Sequence, residues 1–113
     1  MVNAHNSLSH YDSSKVADGT NFRIALVVSE WNEEITQALF QGAKEKLLDH
    51  NVLDENIVRI DVPGSFELIY GASMAQLTDF NAIIAIGCII KGETYHFEVI
   101  SNETTRKIMD ISV

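Results

Sequence analysis

Ala82-Ile83-Ile84-Ala85-Ile86-Gly87-Cys88-Ile89-Ile90-Lys91-Gly92-Glu93-Thr94-Tyr95-His96-Phe97-Glu98-Val99 passes from an unbroken apolar run, through a turn holding Lys91 and Gly92, into the start of a helix. Residues 82–90 carry no charge and read as a buried strand. A strand that feeds a glycine-containing turn and then a helix start makes a natural anion site. Free backbone N–H groups and the helix dipole point at the same spot. Lys91 adds a positive charge, and His96 adds a proton carrier that titrates near neutral pH. The arrangement suits chemistry on a small phosphorylated molecule.

The same strand-turn-helix grammar recurs upstream. Residues 22–29 (Phe-Arg-Ile-Ala-Leu-Val-Val-Ser) form a second apolar run. Asn32 is the expected cap of the following helix, with Glu33 and Glu34 in its first turn, where carboxylates suit the dipole. Ile35, Leu39, Ala43 and Leu47 then recur at helical spacing. Residues 57–62 form another strand, broken by Pro63-Gly64. Ser65 is the expected cap of a helix running to about Leu77, with Leu68, Ala72 and Ala75 on one face. The last helix is expected to start near Tyr95 and to carry Phe97, Ile100, Thr104, Ile108 and Ile111 on one stripe.

Three strands alternating with three helices imply right-handed crossovers and a parallel sheet. The predicted architecture is a three-layer α-β-α sandwich with a flavodoxin-like sheet. Its strand-to-helix turns, at residues 30–32, 62–67 and 91–96, then share the carboxyl edge of the sheet, where open α/β folds bind ligands. Residues 22–113 are read as one α/β domain. Residues 1–21, rich in Ser, Asn and Asp, are read as a flexible tail or a strand ordered by a partner.

Composition narrows the function classes. The chain has 113 residues, enough for one domain, and its net charge is −8. That charge argues against nucleic-acid and anionic-membrane partners but leaves room for a small phosphorylated substrate at a local positive site. No apolar run reaches the about 20 residues of a membrane span, and no secretory signal is recognised. The one cysteine, Cys88, fits a reducing, cytoplasmic setting. The four histidines show no close helical pairing, so no metal site is expected.

Individual residues in the turns carry two readings each. Trp31 is either a hydrophobic lid over the core or a flat surface for stacking a heterocycle. Pro63-Gly64-Ser65-Phe66-Glu67 is either a turn plus a cap or a place where a ligand approaches the backbone and Glu67 accepts hydrogen bonds from hydroxyls. His96 is either a helix-start residue or an acid/base group. Lys91 is either a solvated lysine or a source of local positive potential. Cys88 reads as a small core residue.

In combination these segments are more specific. Ser-Glu-Trp-Asn-Glu-Glu-Ile-Thr (29–36), Val-Pro-Gly-Ser-Phe-Glu-Leu (62–68) and Gly-Cys-Ile-Ile-Lys-Gly-Glu-Thr-Tyr-His-Phe-Glu (87–98) resemble the 6,7-dimethyl-8-ribityllumazine synthase family of riboflavin biosynthesis. The resemblance covers about residue 22 onward. It implies condensation of 5-amino-6-(D-ribitylamino)uracil with 3,4-dihydroxy-2-butanone 4-phosphate to the lumazine, phosphate and water, with no metal or organic cofactor. It implies that Trp31 stacks on the pyrimidine and that Ser65, Phe66 and Glu67 hold the ribityl chain. Cys88, Ile89 and Ile90 would face the pyrimidinedione, Glu93 and Thr94 would bind the phosphate, and His96 would transfer protons. The partners implied are the two small-molecule substrates and further copies of the chain. A homopentamer with sites between adjacent subunits is expected, built in some members into a sixty-subunit icosahedral shell.

Two departures from the family pattern matter. Glu93 puts a carboxylate in the phosphate turn. The chain is also expected to end before the last strand and helices of the family, which hold a further ring-contacting aromatic and an arginine for the phosphate. The rival readings are a non-catalytic lumazine- or flavin-binding module and a structural shell protein of the same fold.

Overall fold

The computed structural model describes residues 10–92 and 96–113. Its elements are β1 (Ile24–Ser29), α1 (Glu33–Asp49), β2 (Ile57–Val62), α2 (Glu67–Ala75), β3 (Ala82–Ile86) and α3 (His96–Ser112). Short 3₁₀ turns occupy Ser13–Lys15 and Asp54–Asn56. The sheet is parallel throughout, in the order β2-β1-β3. The chain moves one way from β1 to β2 and the other way from β2 to β3. Crossovers of a single hand therefore put α1 and α2 on opposite faces. The layered α/β architecture expected from the alternation is the one observed.

β1 occupies the centre because it can be buried on every side. Ile24 pairs with Ile57 and Ala82, and Val28 with Asp61 and Ile86. All six of its residues are buried. Ile24, Leu26 and Val28 point to one face and pack with Phe40, Val52 and Ile86; Val27 points to the other and packs with Val62 and Leu68. This is the period of two of a strand serving two cores at once. Each such Val or Leu contributes about 1.5–3 kcal/mol by leaving water.

α2 lies close to the sheet because Gly71 lets it. A Cβ at Gly71 would come within 2.6 Å of Val27 Cγ1 and 3.0 Å of Val62 Cγ1. α3 packs against α2, and Gln76 Nε2 donates to the Ile111 carbonyl at 2.6 Å. The stripe of Phe97, Ile100, Ile108 and Ile111 is half-buried, with Thr104 buried among them, as the helical spacing predicts.

The segment before β1 is tied to the end of α1. Gly19 N–H donates to the His50 carbonyl at 2.7 Å, and Asn51 Nδ2 donates to Asp18 Oδ1 at 2.9 Å. The Asn51 and Thr20 bonds hold the Asp18 carboxyl below the usual carboxylate range. The Tyr11 hydroxyl lies 3.0 Å from His50 Nε2 and accepts from Lys46 Nζ at 3.1 Å, which raises the lysine above its ordinary value.

Several local expectations are corrected. Asn32 does sit at the cap position of α1, but its side chain makes no capping bond; its backbone is left-handed, with φ 56° and ψ 55°. Ser65 does not cap α2 either, since Phe66 takes the cap position and Ser65 Oγ has no hydrogen-bond partner. The face of α1 turned to the sheet runs through Thr36 and Phe40, with Ala43 and Leu47 packed beside them, while Ile35 and Leu39 stay exposed. Apolar residues on this helix span more than one stripe, so periodicity could not choose between neighbours. β3 ends at Ile86 rather than Ile90, its last ladder pair being Val28–Ile86, and it is not the buried strand expected: only Ile86 of it is buried, since among the described residues it pairs with β1 alone. α2 ends at Ala75, leaving Leu77 exposed.

Candidate functional site

The three strand-to-helix turns meet at the carboxyl edge of the sheet, around a cleft of about 400 Å³. The first turn contributes Trp31. The second contributes Pro63, Gly64, Ser65, Phe66 and Glu67. The third contributes Cys88, Ile89 and Ile90, and α3 adds His96 and Ile100. Glu93 and Thr94 lie outside the described residues. Lys91 does not line the cleft, while Trp31, Ser65, Phe66, Glu67, Cys88, Ile89, Ile90 and His96 all do.

The first turn is held by backbone bonds that leave its indole free. Glu30 N–H donates to the Val62 carbonyl at 2.7 Å, and Trp31 N–H donates to Ser29 Oγ at 3.3 Å. Ser29 is fully buried. Trp31 itself is 61% exposed, which removes the reading of it as a lid over the core. An indole presented this way offers a broad flat face to a planar ligand.

The second turn uses Pro63 and Gly64 to leave the sheet and start α2. Glu67 stands in the first turn of that helix, where the dipole favours a carboxylate. Its carboxylate oxygens lie over Gly64, 3.5 and 3.8 Å from where a Cβ would stand. Ser65 is 8% exposed, and its hydroxyl is an unpaired buried group facing Gly87. A Cβ at Gly87 would lie 3.1 Å from Ser65 Oγ and 2.7 Å from Leu68 Cδ1, so glycine is required for the second and third turns to meet.

In the third turn Cys88 and Ile89 are half-buried and Ile90 is exposed. Cys88 is not sealed in the core as the sequence suggested, because β3 has already ended and its residue borders the cleft. Asn32 Nδ2 reaches its Sγ at 3.8 Å, joining the first turn to the third. Sequence reasoning treated Asn32 only as a cap; the missed signal was an Asn directly after the strand-ending turn, the residue type most tolerant of a left-handed step after glycine. Lys91 is largely exposed, with Nζ 4.0 Å from Glu98 Oε1. His96 is exposed at the start of α3 and opens on the cleft. Among the described residues no group of His, Cys, Asp and Glu could hold a metal ion. No described helix is long and apolar enough to cross a membrane.

A parallel sheet with a cleft at its carboxyl edge, lined by an exposed indole, a carboxylate and an imidazole, defines an open α/β protein with its cleft where such folds bind ligands. The chain belongs to the 6,7-dimethyl-8-ribityllumazine synthase family, whose model matches residues 21–113. It is 46% identical to the 6,7-dimethyl-8-ribityllumazine synthase of Flavobacterium psychrophilum, with 100% of this chain and 60% of that protein covered. It is 47% identical to the synthase of Christiangramia forsetii, with 100% and 68% covered. For that of Porphyromonas gingivalis the identity is 41%, with 100% and 71% covered. The chain thus spans 60% of the length of the Flavobacterium psychrophilum relative.

Proposed function

We propose that the protein acts as a 6,7-dimethyl-8-ribityllumazine synthase, condensing 5-amino-6-(D-ribitylamino)uracil with 3,4-dihydroxy-2-butanone 4-phosphate. The carrying observation is the convergence of three distant segments on one cleft, with Trp31, Glu67 and His96 all opening into it. In this reading Trp31 stacks on the pyrimidine, while Cys88, Ile89 and Ile90 border its polar edge. Ser65, Phe66 and Glu67 take the ribityl chain, with Glu67 accepting from its hydroxyls. Glu93 and Thr94 are assigned to the phosphate of the second substrate by their place in the motif alone.

The chemistry needs positioning and proton transfer and no cofactor. The amine attacks the ketone and water leaves to give an imine. Phosphate is then eliminated, and the ribityl-bearing nitrogen attacks the second carbonyl, whose oxygen leaves as a second water as the ring closes. Each step moves a proton, and His96 beside the cleft suits that exchange. Holding the two substrates side by side is worth up to about 7–11 kcal/mol, so proximity carries much of the rate. A homopentamer with each site completed by a neighbouring subunit fits this reading, as does a larger icosahedral shell. The single cysteine fits a reducing, cytoplasmic setting.

Incubation with both substrates, followed by lumazine fluorescence, tests the reading. Product formation that requires both substrates supports it. Binding of lumazine without turnover would make the protein a binding module, and neither binding nor turnover would leave a structural role.

A further inference from the structure

Asn32 is one of two non-glycine residues with positive φ among the described residues, and the only one of the two beside the cleft. A left-handed backbone costs most residues free energy, and such strain persists where the surroundings enforce it. Here the surroundings are specific. The Asn32 carbonyl accepts from Ile35 N–H at 3.0 Å and Thr36 N–H at 3.1 Å, anchoring it to the first turn of α1. On the other side Trp31 N–H is held by the buried Ser29 hydroxyl. The backbone around the indole is therefore fixed before it by the Ser29 bond and after it by the left-handed step at residue 32.

Glycine would make that reversal at no steric cost. Asparagine makes it and also supplies an amide. That amide does not cap its own helix but crosses to Cys88 Sγ at 3.8 Å. Cys88 stands just after β3 and lines the same cleft as Trp31.

We propose that Asn32 is a positioning residue for Trp31, acting through two separable devices: a left-handed backbone that aims the indole, and an amide–sulfur link that sets the spacing between Trp31 and the Cys88 wall. The proposal deepens the functional reading above and rests on it for the identity of the ligand. Its geometric content concerns the protein alone.

The test uses Asn32→Ala, Asn32→Gly, Cys88→Ala and the double variant Asn32→Gly/Cys88→Ala. Trp31 is the chain's only tryptophan, so acrylamide quenching of its fluorescence without ligand reports its placement. Asn32→Ala is expected to change the quenching constant and to weaken binding of the ribitylaminouracil about tenfold, with binding of the phosphate ketone unchanged. Asn32→Gly keeps the reversal and loses the amide; its loss is expected to be about two- to threefold. The effects of Asn32→Gly and Cys88→Ala on quenching are expected not to add, because both cut the same link. Wild-type quenching in Asn32→Ala would overturn the backbone device. Additive effects in the cycle would overturn the amide link. Should Asn32→Ala fail to fold, Asn32→Ser takes its place as the backbone probe, and wild-type quenching in Asn32→Ser would overturn the backbone device. Failure of the wild-type protein to bind the ribitylaminouracil, with quenching as expected, would sink the functional reading and leave the positioning role standing.

Discussion

His96 shows how a single residue can be placed for chemistry without holding up the fold. It is exposed, it begins α3, and it borders the cleft. His96→Ala is therefore expected to leave the melting temperature unchanged, since alanine is the better helix former. Turnover is expected to fall by no more than about 10²-fold, the low end for a positioned acid/base, because substrate positioning survives the substitution. Measuring kcat beside the affinity for the ribitylaminouracil checks this; an unchanged kcat removes His96 from the mechanism. Asp18 is a contrasting case, a residue that acts on local order. Hydrogen bonds from Asn51 and Thr20 depress its carboxyl, so the charged form is favoured by the native contacts. A depressed carboxyl contributes stability that is present above its unfolded value, near about pH 3.9, and is lost as pH falls through the lower folded value. Protection of residues 10–20 against hydrogen exchange, corrected for intrinsic rates, is expected to drop below about pH 4. Asp18→Ala should show the reduced protection already at neutral pH, and equal protection in the two proteins would remove the tie.

At the scale of elements, two helical glycines predict opposite outcomes for the same change. Gly71 in α2 faces β1 and β2, where an added methyl would meet Val27 and Val62 side chains. Overpacking costs about 1–3 kcal/mol, more than the about 0.8–1.0 kcal/mol gained in helix propensity. Gly71→Ala is expected to destabilise by about 1–2 kcal/mol. Gly42 in α1 is exposed, with nothing within 4 Å of an added Cβ. Gly42→Ala is expected to stabilise by about 0.8–1.0 kcal/mol. Urea unfolding of both variants decides the matter; equal signs would mean that α2 does not approach the sheet as closely as described. The caps teach a related lesson. Asn and Ser both stand where a helix begins, and neither side chain caps. Asn32 takes a left-handed backbone, and Ser65 is buried against Gly87, where the second and third turns meet.

The whole molecule carries apolar surface that a single copy does not cover. Phe66, Tyr70, Met74 and Leu77 form an exposed stripe along α2 and just beyond its end, at spacings of a helix face. Beside it β2 is paired only with β1 among the described residues, so its outer edge has open backbone groups. Such a patch next to an open strand edge favours association. The protein is expected to sediment as an assembly of copies at micromolar concentration. The paired change Tyr70→Lys and Met74→Glu is expected to shift it toward the monomer. A stable folded monomer of the wild-type protein would contradict both statements.

The sequence by itself determined the order of the elements, the parallel sheet, the apolar strand at residues 24–29 and the three turns that hold the unusual residues. These follow from local pattern: unbroken apolar runs, helical spacing, and glycine or proline punctuation. The lumazine synthase motifs were legible for the same reason, since each is a continuous segment in one turn. Tertiary structure alone decided that Trp31, Glu67, Cys88 and His96 border one cleft, because residues far apart in the chain meet only when β2 and β3 pair on either side of β1. It also decided that β3 stops at Ile86, its last pairing with β1, and that Phe40 rather than Leu39 faces the sheet. The left-handed step at Asn32 belongs with these. Asparagine can cap a helix or reverse the backbone at little difference in local cost, and its contacts with Thr36 and Cys88, beside the Ser29 bond to the neighbouring Trp31 N–H, made the choice.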